Sequence, residues 1–114
     1  MTLSDAALVI GANAIDTAIT HFQLHSGAPG GAGTANVVGT RVAVNGTVDA
    51  DGDIAWANAA FTGLTANQPV THVSYWSASS AGTFLGSAAL TGDTTANSAG
   101  EYTVTSVTET STAT

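Results

Sequence analysis

Cysteine is absent, so no disulfide and no thiolate zinc site can hold the chain together, and stability must come from packing and from partners. Cations are almost as scarce. Arg41 is the only lysine or arginine, against eight acidic residues, for a formal net charge of −7. Nucleic-acid binding works by neutralising several phosphates with Lys or Arg, so that class is excluded. Adsorption to an anionic membrane fails for the same reason. Only 8% of the residues are charged, where globular proteins average about 25%. No apolar run approaches the roughly 18 residues of a membrane span. Met1-Thr2-Leu3-Ser4-Asp5 lacks the positive flank of a signal peptide, so no targeting segment is expected. What remains is a surface of hydroxyls, small side chains and backbone, which suits extended protein–protein contact.

The 114 residues fit one domain. A chain of this size buries roughly two-thirds of its unfolded surface, enough for a core without staples. The expected fold is mainly β: a small antiparallel sandwich, immunoglobulin-like or jelly-roll-like, with an N-terminal helix. Residues 1–20 read as the helix, 21–107 as the sandwich and 108–114 as a polar tail. Ser4 is placed as N-cap, with Asp5 at the positive end of the helix dipole. Leu8, Ala12, Ile15 and Ile19 recur at helical spacing, and Gly11 weakens the helix among them.

Phe22-Gln23-Leu24 reads as a short strand leading to Ser26–Gly33, a loop because Pro lacks a donor and Gly is costly to order. Val38, Thr40, Val42 and Val44 alternate with Val37, Gly39, Arg41 and Ala43, as in a half-buried strand. Asn45-Gly46 predicts a type I′ hairpin returning through Thr47-Val48. Asp49–Asp53 turns the chain into a strand from Ile54 to Phe61. Val70–Trp76 and Thr83–Leu90 form a further hairpin, and Glu101–Val107 is the last strand. No internal repeat is present, so a repetitive fibre shaft is not encoded.

Chemistry-bearing patterns are weak. Asp49, Asp51 and Asp53 fill positions 1, 3 and 5 of an EF-hand loop, but Gly52 falls at position 4 and Ala60 at position 12. A solvated turn is the better reading. His21 and His25 are four residues apart, but a zinc site needs further ligands. The glycines from Gly27 to Gly33 lack the lysine of a phosphate loop, and no G-x-S-x-G elbow occurs. No catalytic residue, cofactor or metal is expected. Among Trp56, Tyr75 and Trp76, at least one tryptophan is expected in the core; Tyr75 and Trp76 are adjacent in a strand and point to opposite faces, so one of them is available for an interface.

The segment Leu24-His25-Ser26-Gly27-Ala28-Pro29-Gly30, with Gly33-Thr34-Ala35-Asn36, resembles the LHTGDPG…GTANEV motif of a widespread phage virion family. Val70-Thr71-His72-Val73-Ser74-Tyr75-Trp76, with Gly82-Thr83-Phe84-Leu85-Gly86, is similar to its THVGLWDA…GGTFLG element. The chain departs from the first motif at Ala28 and Val37, and the YAR that often follows is reduced to Arg41. The resemblance implies a minor tail or tail-fibre protein, or a small capsid-associated protein, of actinobacterial and related phages. It brings no catalytic residues.

Three functions compete. A capsid decoration or accessory head protein would bind the major capsid protein or other virion proteins and stabilise only the assembled shell. A minor tail, tail-fibre or tail-tip protein would contact the host surface. A carbohydrate-binding module or small hydrolase would need a concave polar site. The first is preferred, acting as a homo-oligomer such as a trimer on the particle surface after synthesis in the host bacterial cytoplasm. Candidate interface residues are Leu8 and Ile15 on the helix, Trp76 on its strand, and Thr112 and Thr114 in the tail.

Overall fold

The computed structural model describes residues 3–111. Helix α1 (Asp5–Ala18) starts where Ser4 Oγ accepts the backbone N–H of Ala7 at 3.2 Å, and ends at Ile19, which turns extended. Its apolar stripe is narrower than the spacing predicts. Ala12 and Ile19 are buried and Leu8 is half-buried, but Ile15 is 52% exposed. Leu8 meets Gly52, whose positive φ and missing Cβ let the turn close against the helix backbone.

Seven strands follow: β1 (His21–His25), β2 (Val37–Ala43), β3 (Thr47–Val48), β4 (Ile54–Phe61), β5 (His72–Trp76), β6 (Phe84–Ala89) and β7 (Tyr102–Glu109). They form two antiparallel sheets, one ordered β2-β1-β5-β6 and the other β3-β4-β7. The fold is thus mainly β with an N-terminal helix, as expected.

Asn45-Gly46 is not a hairpin turn. Strand β2 pairs with β1 and β3 with β4, so these residues carry the chain from one sheet to the other. Neither has a positive φ, which a type I′ turn requires. Glycine is needed at position 46 for space, since a Cβ there would collide with Asp16 Oδ1 and Trp56 Nε1. The hairpin falls at Asp49–Asp53 instead, where Asp49 N–H donates to Asp53 O.

Strand β7 runs two residues beyond the expected end, pairing Thr108 with Ala55 and Glu109 with Ile54. Ser111 then donates its N–H to Asp53 Oδ1 and its hydroxyl to Gly52 O.

Phe22 and Tyr75 from one sheet meet Trp56 from the other, with ring centroids 5.2–5.4 Å apart. Such aromatic contacts add about 0.5–1.5 kcal/mol per pair beyond area burial. Leu24, Val70, Val73 and Phe61 complete the centre of the core. In β4 the inward positions are Ile54 and Trp56, then Ala59 and Phe61; in β7 they are Tyr102 and Val104, then Val107. Alternation breaks at Asn58, which has φ of 57°, and again at the facing residues Thr105 and Ser106. The register holds on both sides, with Ala57 opposite Ser106 and Ala59 opposite Val104.

Candidate functional site

Phe22 and Leu24 point into the core, so His21, Gln23 and His25 face the other side of the four-stranded sheet. Gln23 pairs with Ser74 and His21 with Trp76, which puts Ser74 and Trp76 on that same outer face. Outer sheet faces are commonly wet, but here Gln23, His25, Ser74 and Trp76 are all buried. The Gly-rich segment 26–36 closes over His25, whose ring reaches Ala35, and packs on Phe84, which lies against Trp76. It is tied by Ser26 N–H to Asn36 O, Ala35 N–H to Pro29 O and Asn36 Nδ2 to Ala28 O. Gly33, with φ of 74°, lies so close to the Phe84 ring that a Cβ would enter it.

The polar groups beneath are satisfied in one consistent pattern. Ala35 O can only accept, so His25 Nδ1 donates to it at 2.7 Å. His25 Nε2 then accepts the Ser74 hydroxyl at 2.6 Å, and Ser74 Oγ accepts Trp76 Nε1–H at 2.7 Å. Burial lowers the His25 pKa against the opposing bond to Ala35, with a smaller lowering from His72, which keeps the ring neutral. Gln23 Nε2 donates to Val38 O and Gly39 O, carbonyls left open where the β1–β2 register slips. Arg41 closes the layer. Its guanidinium lies 3.8 Å above the Trp76 ring and donates to Ala78 O and Ala81 O.

The His25–Ser74 contact has the distance of a base–nucleophile pair. Ser74 Oγ is nevertheless fully buried and already accepts from Trp76, so a substrate has no approach to it. Asp49, Asp51 and Asp53 bring carboxylate oxygens within 4.8 Å of one another. Asp49 Oδ1 accepts the N–H groups of Asp51 and Asp53, and Asp53 Oδ1 accepts that of Ser111, which is the work of a turn.

The expected interface residues are not brought together. Leu8 packs on the Asp49–Asp53 turn. Ile15 is exposed on the far half of the helix. Trp76 is 6% exposed and Tyr75 3%, so neither aromatic is free at the surface; Arg41 and Phe84 cover the first, and the core takes the second. Thr112 and Thr114 lie outside the described residues.

A furrow lies elsewhere. Strand β6 ends one sheet and β7 ends the other, on the same side of the sandwich. Between Ala88–Leu90 and Tyr102–Thr108 is a furrow of about 600 Å³, with Asp93 and Glu101 at its rim. A smaller hollow of about 260 Å³ continues it past Leu85–Ser87 and Glu109–Ser111 to Ile15. Glu109 accepts the Tyr75 hydroxyl at 2.6 Å, and burial pushes that phenol well above its ordinary pKa, with the carboxylate adding to the shift. Sequence reading missed the furrow because strand order decides which edges are free. The available signal was two strands without charge or proline along Leu85–Leu90 and Tyr102–Thr108.

Residues 6–112 match the model of the Gp80 family, described as podophage GP4 fiber I protein gp80. No curated protein and no solved structure matches the chain.

Proposed function

The chain belongs to the Gp80 family, that of the podophage GP4 fiber I protein, and on that premise we propose that it is a non-enzymatic structural part of a phage fibre. The family match over residues 6–112 carries this reading. It supports the tail-fibre function over capsid decoration. The chain has no repeat from which to build a shaft, so its place is at an end or a joint, where a small β domain docks on other virion proteins. The sealed layer around His25 and Ser74 supports a structural role, since its polar groups are consumed in holding a loop.

The test is to locate the protein on the particle. Particles carrying an epitope-tagged copy are labelled with antibody-bound gold, and copy number is measured by quantitative mass spectrometry. Label on fibres, at a copy number that is a small multiple of the fibre count, is expected. Label spread over heads at hundreds of copies would instead make this a decoration protein.

A further inference from the structure

We propose that the furrow between β6 and β7 binds an extended segment of another protein as an added strand, and that this segment carries Lys or Arg near its ends. The inference rests on the fibre reading only in taking the partner to be a virion protein.

Each of the two strands has a neighbour on one side alone. Among the described residues, no backbone bond joins Phe84–Ala89 or Tyr102–Glu109 to anything outside their own sheets. Outward N–H and C=O groups along both strands are therefore a template for another chain. Natural edges are usually blunted, and the opposite side of this sandwich shows how. There β2 has its register slip and Arg41, while β3 is only two residues long. Strand β6 slips once against β5, beside Tyr75 and Trp76, but Gly86–Ala89 and the whole of β7 keep an unbroken register. Strand β7 spans eight residues, about 26 Å at the rise of an extended chain.

Charge identifies the occupant. The furrow and its continuation are lined by Asp93, Glu101 and Glu109, with no lysine or arginine. Asp93 and Glu101 are exposed near one end, and Glu109 lies at the other. Between them the furrow is lined mostly by Ala, Thr, Ser, Val and Leu, with Phe61, Asn97 and Tyr102, which receives alternating apolar and small polar side chains. A second copy fits poorly. Its only lysine or arginine is Arg41, already held over Trp76, and each copy carries a net charge of −7. An extended segment with terminal cations meets both the unpaired backbone and the carboxylates, the arrangement of strand-addition complexes.

The probe is a synthetic ten-residue peptide of alternating Thr and Val with a lysine at each end. Its controls are the same peptide with terminal glutamates, and a lysine peptide with proline at two central positions. Amide chemical shifts of the isotope-labelled chain are followed during titration. The lysine peptide should move the amides of Leu85–Leu90 and Thr103–Glu109, and bind at least tenfold tighter than the glutamate peptide. The proline peptide should leave them in place, since it cannot complete the ladder. The double variant Asp93→Asn, Glu101→Gln keeps its side-chain acceptors and should lose most of the preference for lysine. Equal response to lysine and glutamate peptides, or shifts confined to other surfaces, overturns the proposal. So does self-association in sedimentation that Thr105→Lys abolishes, because the occupant is then a second copy. None of these outcomes depends on where the protein sits on the particle, so failure here leaves the fibre reading intact, and the reverse.

Discussion

On the four-stranded sheet, the face turned away from the core is buried a second time along its two middle strands, where Gln23, His25, Ser74 and Trp76 lie under the glycine loop, Phe84 and Arg41. On the three-stranded sheet the corresponding face is bare. Ala55, Ala57 and Ala60 stand beside Thr108, Ser106 and Thr103, all exposed. The first face therefore carries hydrogen bonds that cannot be replaced by water without opening the loop, while the second carries almost no side-chain energy. Substitutions should be costly on one and tolerated on the other.

The largest effect is expected at Gly33. Valine there meets both a left-handed backbone and the Phe84 ring, and Gly33→Val should cost about 3 kcal/mol, read as a lower urea midpoint. Ser74→Ala comes next. It strands Trp76 Nε1–H and His25 Nε2 in a dry layer and should cost about 2 kcal/mol, with a shift in tryptophan emission. If either change is as mild as a surface substitution, the sealed face is not a second core.

The pH dependence follows from His25. Its folded pKa lies below the unfolded value near 6.5, so its contribution is present above about pH 6.5 and is lost as pH falls through that value toward the folded pKa. Over that window stability should drop by up to about 1.4 kcal/mol per pH unit, and His25→Asn should flatten the slope of melting temperature against pH. Arg41→Ala is smaller again, at about 1 kcal/mol, because the guanidinium is only half-buried above Trp76. At the far end of the scale, Ala57→Lys on the bare face should stay within about 0.5 kcal/mol of wild type. A large loss there would mean that the two faces differ less than their burial suggests.

This contrast also marks what could be read from the amino acids. Strands β5 and β6 and the helix were legible because β-branched, aromatic and helical spacings are local properties. The two resembling segments meet in space, His25 on Ser74 and Gly33 on Phe84, but nothing in their separate spacings states that contact. Burial on both faces erases alternation in β1 and β5, so the covered layer leaves no period to detect. The misplaced hairpin at Asn45-Gly46 has a similar cause. Turn chemistry permits a reversal, but Val44 is held instead by Thr20 O and the chain crosses to the other sheet. The interface candidates suffered most, because exposure of Trp76 is decided by Arg41, 35 positions earlier in the chain.

The interruption at Asn58 and Thr105 constrains how the β4–β7 ribbon can change length. It behaves like a matched pair of dislocations, one in each strand, that cancel in register while reversing the phase of both. Removing Asn58 alone would leave the dislocation in β7 without its counterpart and put the two strands out of step beyond it. Removing residues 58 and 105 together would give an unbroken ribbon one rung shorter, so insertions and deletions in this ribbon have to come in facing pairs.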